Sequence, residues 1–242
     1  MKDFADIKKE IYSFEVKDPS KESKYGKFLD TLVFKYDLRS KDKQWDLWYF
    51  SDNTEFCRDS AKHFLEKIKE QYGEYEKLLK SKKDHGFRFD ELRILFGCFC
   101  FYLYAALESF AHEINIFYEI DIDRERVGIK EIARELRKRK RDCALSNHLQ
   151  TMFSDTDFEK FFEYRNTVMH GYVYPISGNR EGLFLKDEPK IEMFSFKGMN
   201  TNLLDFCTIS YSKVCDFVCK GWRCFEIDEL TDSERKGDGN FI

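Results

Sequence analysis

Apolar side chains recur at steps of three and four residues along most of the chain, and this spacing predicts helices. After a charged joint at Lys41 to Lys43, Trp45, Trp48 and Tyr49 lead into a first long amphipathic helix. Its apolar stripe runs Phe56, Ala61, Phe64, Leu65, Ile68, Tyr72, Tyr75, Leu78 and Leu79, and Asp84-His85-Gly86 ends it. A second helix spans roughly 90 to 120, with Leu92, Leu95, Phe96, Phe99, Leu103, Ala106, Leu107, Phe110, Ile114 and Phe117 on one face. Phe101, Tyr102, Tyr104 and Ala105 carry the apolar surface almost round it, so this helix is expected to lie between others. A basic helix follows from Arg124 to Arg141, then a short apolar segment from Leu145 to Phe153. Ser154-Asp155-Thr156-Asp157 reads as an N-cap cluster that opens a helix carrying Phe158, Phe161, Phe162, Val168 and Met169.

Beyond Tyr172 the period changes. Val173 to Ile176, Leu183 to Leu185 and Ile191 to Phe196 look strand-like, with Gly178-Asn179 and Asp187-Glu188-Pro189 as turns. Asn202 begins a last helix, in which Leu204, Ile209, Tyr211, Val214, Phe217, Val218 and Trp222 are expected to pack inward. The expectation is a mainly α fold, a helical bundle with a small β-hairpin or three-stranded insertion near residues 172–197. Residues 1–40 form an N-terminal segment packed on the bundle, 41–225 the helical domain, and 226–242 a polar, mobile tail.

Composition narrows the function classes. In 242 residues, 42% apolar and 17% aromatic content is that of a packed globule rather than a disordered chain. The opening Met1-Lys2-Asp3-Phe4-Ala5-Asp6 lacks the apolar run of a secretory signal, and Ile94 to Leu107 reads as too short to span a bilayer. A cytoplasmic protein without membrane contact is expected, its eight cysteines reduced and buried. Cys98 with Cys100, and Cys215, Cys219 and Cys224, lack the C-x-x-C spacing of a zinc site, so no metal and no cofactor are expected.

A net charge of −4 argues against a protein that coats nucleic acid everywhere, but one local patch runs the other way. Arg134, Arg137, Lys138, Arg139, Lys140 and Arg141 stand in a stretch whose only acids are Glu125, Glu131 and Glu135. Such a stretch can be a solvated helix face laced by side-chain pairs, or a strip that holds RNA phosphates. Five consecutive cations cannot all be paired along one helix, which favours RNA binding.

The candidate chemistry lies on the helix of Phe158. Arg165 falls seven residues after Phe158 on its apolar face, where an always-charged guanidinium needs an anion or strong acceptors. Asn166 and His170, four apart, are neighbours on the adjoining stripe, and Gly171 is the helix stop. On the second helix Glu108, His112 and Asn115 form a polar stripe that either faces water or sends Glu108 to Arg165, where its two oxygens would match the guanidinium fork. Read structurally, Arg165 is a buried partner in an ion pair and His170 caps its own helix.

Arg165-Asn166-Thr167-Val168-Met169-His170 resembles the signature of HEPN domains, an arginine and a histidine separated by four to six residues with a polar residue directly after the arginine. Tyr172, two after the histidine, is similar to the longer form in HEPN toxins paired with a small nucleotidyltransferase antitoxin. The segment A-A-L-E-S-F-A-H-E-I-N also resembles the second helix of some HEPN families. The resemblance implies a HEPN-like helical bundle over 41–225 that dimerises with two Arg-x4-His helix ends facing each other. It further implies a metal-independent endoribonuclease that acts as a toxin or anti-phage effector with an antitoxin or regulatory partner.

RNA supplies its own nucleophile, the 2′-hydroxyl, so His170 would transfer the proton, Arg165 would neutralise the phosphorane and Asn166 would orient either the histidine or the phosphate. A helix C-terminus repels phosphate, so a partner's second arginine is needed to reverse the local sign. Tyr172 would stack a base, accept a nucleotidyl group or pack over the helix end. The other readings are a non-catalytic HEPN module binding RNA or a nucleotide, and a helical scaffold.

Overall fold

Small and apolar residues at steps of three and four account for the first helix. Phe50, Thr54, Cys57, Ala61, Leu65, Ile68, Tyr72 and Tyr75 are all buried, so this part of α1 (Lys41–Lys80) lays one unbroken seam on its neighbours. The computed structural model describes residues 41–80, 89–139, 143–169, 176–178, 191–194 and 200–235. The chain divides into two units, Met1–Trp48 and Tyr49–Ile242, and the second holds everything discussed below. The expected N-terminal segment, the Asp84-His85-Gly86 break, the strand at Leu183 to Leu185 and the turn at Asp187-Glu188-Pro189 fall outside the described residues.

The expected stripe on α1 is shifted by one residue at its start: Phe56 is 58% exposed and Cys57 is buried in its place. Thr54 explains the shift. A polar residue occupies the buried seam because Glu113 of the next helix is buried opposite it, with Thr54 Oγ1 at 2.5 Å from its carboxylate.

α2 (Phe89–Phe117) is the hub of the described bundle. Phe96, Phe99, Leu103, Leu107, Phe110 and Ile114 are no more than 2% exposed, and the helix packs on α3 (Ile129–Arg139), α5 (Thr156–Met169) and α6 (Leu203–Arg235). Contacts from Asn53, Thr54 and Phe64 bring α1 onto it as well. By length and composition α2 is long and apolar enough to cross a bilayer, longer than the Ile94 to Leu107 window suggests. Its inward faces are spent on protein neighbours, while Ile94 and Phe101 remain exposed.

The basic stretch is two elements rather than one helix. After α2 the Asn115 side-chain amide donates to the Ile122 carbonyl at 2.9 Å and accepts from the Ile122 N–H at 3.1 Å, which clamps the turn. A single 3-10 turn, Arg124–Arg126, and the extended, buried Val127 follow. Regular helix restarts only at Ile129. α4 (Ala144–Ser154) then turns the expected apolar segment into a helix, with Leu145, Leu149 and Met152 inward. The α5 N-cap is Asp155, whose carboxylate accepts from the N–H groups of Asp157 and Phe158 and pairs with Lys213 at 2.6 Å.

Three short strands, β1 (Ile176–Gly178), β2 (Ile191–Phe194) and β3 (Asn200–Asn202), pair antiparallel in that order. α6 buries Leu203, Phe206, Cys207, Ser210, Val214, Phe217, Val218, Trp222 and Phe225, while Ile209 is 45% exposed. The small residues Cys207 and Ser210 hid that stripe in the apolar pattern. The helix also runs to Arg235, well into the stretch expected to be a mobile tail. Asp228 gives the reason. Its carboxylate accepts from the Ala144 N–H at 2.6 Å, the Leu145 N–H at 3.1 Å and the Tyr118 hydroxyl at 2.6 Å, satisfying the open end of α4 from another helix.

Gly221 makes a close approach possible. A Cβ there would overlap the fully buried Phe110 ring, which also packs against Phe217, Trp222 and Phe225. Gly221→Ala is therefore expected to lower stability by about 1–3 kcal/mol, the usual cost of overpacking, although alanine is the better helix former. Adding Phe110→Leu should recover much of the loss in urea unfolding. A higher urea midpoint for Gly221→Ala alone would refute this packing argument.

Candidate functional site

Arg165 lies in the last turns of α5, beside a cavity of about 350 Å³ between α1, α2 and α5. Its guanidinium carbon stands 3.4 Å from the centroid of the Tyr104 ring, and one Nη donates to the Asn166 side-chain oxygen at 2.9 Å. The Nε is buried and has no hydrogen-bond partner among the described residues. Among the described residues no ion pair joins Arg165 to Glu108, so the expected fork is replaced by a ring. The consequence is electrostatic. A carboxylate partner would cancel the guanidinium charge, whereas an aromatic face holds the group, for roughly 1 kcal/mol, and leaves its charge intact.

Glu108 does different work. Its Oε1 accepts from the Ile129 N–H at 3.4 Å, at the first turn of α3, so the carboxylate sits where a helix N-terminus favours negative charge. Burial raises its pKa, and the Tyr104 hydroxyl, the Ile129 N–H and the nearby Arg165 charge pull the other way. The Tyr104 phenol is pushed up to about 12 by burial and then by the charge of Glu108. Glu108 thus ties the ring beneath Arg165 to the start of the basic helix.

The cavity holds groups that sequence reasoning did not assign to a site: Asn53, Tyr104, Ser109 and His112. Asn53 donates to the Ser109 hydroxyl at 2.5 Å, and His112 stacks on Phe50 with centroids 4.2 Å apart. Burial, and then the charge of Arg124, lowers the His112 pKa, so the ring is neutral near pH 7. The i, i+4 spacing of Tyr104, Glu108 and His112 was a visible signal for one shared helix face. Nothing in the sequence pointed to Asn53.

The basic helix forms one wall of a larger open groove of about 960 Å³ between α3 and α4. Lys130, Arg134, Arg137 and Lys138 line it from α3. Arg134 pairs with Glu131 at 2.8 Å and Lys138 with Glu135 at 2.5 Å, both one turn apart and solvent-exposed, where such pairs are worth little. Arg137 donates to the Gln150 side chain at 3.2 Å. Arg139 is not brought to the groove; it points to the Glu119 carbonyl at 3.4 Å. Lys130 lies 4.3 Å above the Phe162 ring, and Phe162 meets Tyr104 edge-on at 6.2 Å. Two rings therefore separate the edge of the groove from Arg165.

Of the expected site, Arg165, Asn166, Glu108, Arg134, Arg137, Lys138 and Arg139 are placed in this way. His170, Tyr172, Lys140 and Arg141 lie outside the described residues, as do the side chains of Val168 and Met169. The eight cysteines are free thiols, but only Cys57, Cys100 and Cys207 are buried and the other five are half-buried. Among the described residues no group of three or more His, Cys, Asp or Glu is arranged to hold a metal ion. No family model, no curated protein and no solved structure matches the chain.

Proposed function

We propose that the chain is a metal-independent endoribonuclease of the HEPN type, a HEPN-like bundle carrying a small β insertion. One observation supports this above the rest: Arg165 is held against the Tyr104 ring and, among the described residues, forms no ion pair with a carboxylate, next to Asn166 and five residues before His170. A purely structural arginine would be expected to have a carboxylate against it. This one keeps donors for an anion.

In this reading the RNA 2′-hydroxyl attacks the adjacent phosphorus and the P–O5′ bond breaks, the 2′-hydroxyl losing its proton and the departing 5′ oxygen gaining one. His170 carries one of these two proton transfers, and Arg165 neutralises the charge that builds on the phosphorane oxygens. Asn166, already bonded to the guanidinium, fixes its direction. Tyr104 and Glu108 position Arg165 from beneath. Two chains bring two Arg165–His170 helix ends to one scissile linkage, because a single helix C-terminus has the wrong sign for phosphate. The exposed cations of α3 gather RNA. The setting is cytoplasmic, in a toxin or anti-phage system held in check by an antitoxin or regulatory partner, with Tyr172 the hydroxyl open to modification.

The test is incubation of the full chain with end-labelled RNA in EDTA. Cleavage is expected to persist and to leave 2′,3′-cyclic phosphate and 5′-hydroxyl ends. RNA that stays intact across structured and unstructured substrates would overturn the nuclease reading, and RNA binding without cleavage would leave a non-catalytic HEPN module in its place.

A further inference from the structure

We infer that the groove between α3 and α4 is a seat for one single strand of nucleic acid, with phosphates along α3 and unpaired bases along α4. The two walls differ in chemistry. On α3, five cations from Lys130 to Arg139 face two glutamates, leaving positive charge in excess, and four of them line the groove. On α4 the wall is uncharged and planar: the amides of Asn147 and Gln150 and the ring of Phe153 follow one another at three-residue steps on a single helix face. Phe153 is 51% exposed although it belongs to an otherwise inward-facing apolar segment. An exposed ring beside a cationic ridge matches a ligand that carries charge on one edge and flat π-surfaces on the other, as a single strand does.

The same division excludes other polyanions. A duplex presents phosphates on its outside and keeps its bases stacked within, so it could use α3 but would leave the Phe153 wall idle. A sulfated polysaccharide has no base to stack. The groove amides add modest readout at most, because Gln150 already spends its oxygen on Arg137 and its nitrogen on the Ala133 carbonyl at 3.4 Å. Binding is therefore tolerant of sequence and strongly dependent on salt. The inference rests on the proposed RNA-handling role only for its choice of RNA over DNA.

The experiment uses the full chain carrying His170→Ala and fluorescein-labelled unstructured twelve-nucleotide strands, followed by anisotropy in EDTA at several salt concentrations. The RNA single strand is expected to bind at least tenfold more tightly than an RNA duplex of equal length or heparin. A DNA strand of the same sequence tells the two sources apart. Phe153→Ala should weaken single-strand binding roughly 5- to 100-fold, the worth of one stacked base, without changing the salt slope. Phe153→Trp should restore it.

Arg134→Gln should instead reduce the salt slope by about 0.7, the share of one phosphate contact on a single strand. Equal affinity for duplex and single strand, or no loss on Phe153→Ala, would overturn the inference. If the groove behaves as expected while the wild-type chain cuts no RNA, the nuclease reading alone fails. If the chain cuts RNA but Phe153→Ala binds like its parent, the groove alone fails.

Discussion

Arg165→Ala is expected to slow RNA cleavage roughly a hundred- to a thousandfold, the usual loss when one preorganised donor to a developing anion is removed. The fold should survive. Arg165 is half-buried, and among the described residues the change gives up one ring contact and one hydrogen bond to a neighbouring residue. Arg165→Lys is the sharper variant, because it keeps the charge but loses the planar fork and its stacking on Tyr104. It should recover little of the rate. His170→Ala in the same single-turnover assay should cost roughly a hundred- to ten-thousandfold, the range for a positioned proton-transfer group. Cleavage by Arg165→Ala at the wild-type rate, with folding verified by circular dichroism, would remove this residue from the mechanism and leave it a structural arginine.

The second large effect concerns stability. Glu113 is completely buried between α1, α2 and α6, with the Trp222 indole N–H donating to one oxygen at 2.8 Å. Thr54 Oγ1 lies 2.5 Å from the other oxygen and 2.9 Å from the Phe50 carbonyl, and its single proton can serve only one of them. Both are satisfied when Glu113 is protonated and donates to Thr54. Burial accordingly pushes the Glu113 pKa from 4.5 up to about 7, against the hydrogen bonds from Thr54 and Trp222, while the charge of Glu55 adds to the rise.

For a carboxyl group whose folded pKa lies above its unfolded one, the native state binds more protons, so stability falls as pH rises from about 4.5 to about 7 and is level above that. The loss is about 3 kcal/mol from this one group. Glu113→Gln mimics the protonated form, with an oxygen toward Trp222 and an amide toward Thr54. It should match the wild type at acid pH and exceed it near pH 8 by about 3 kcal/mol, or roughly 6–12 °C in melting temperature. A gap between the two proteins that is the same at both pH values would mean that Glu113 does not titrate in this range.

Much of the fold was legible because helical packing leaves a periodic trace. The central place of α2 and the Asp155 cap of α5 follow from spacing and from local hydrogen-bonding chemistry, which depend on few residues and short distances. Misplaced stripes share one cause. Thr54 and Ser210 are buried where an apolar pattern excludes them, and Phe56 and Ile209 are exposed where it demands burial. Thr54 is buried because a partner on another helix, Glu113, meets its hydroxyl.

The site divides along the same line. The sequence by itself determined that Arg165 and Asn166 stand side by side late in one helix, with His170 four residues after Asn166 in the chain, and that a cationic ridge lies upstream, since covalent order and helical pitch suffice for both. Only the tertiary structure decided that Tyr104 rather than Glu108 holds Arg165, that Glu108 instead caps α3, that Asp228 secures α4 from the far part of α6, and that Phe153 faces the cations across a groove. Each of those pairings joins residues from different elements. Which carboxylate or ring meets which cation is settled by how helices cross, and periodicity along one strand of sequence carries no information about that crossing.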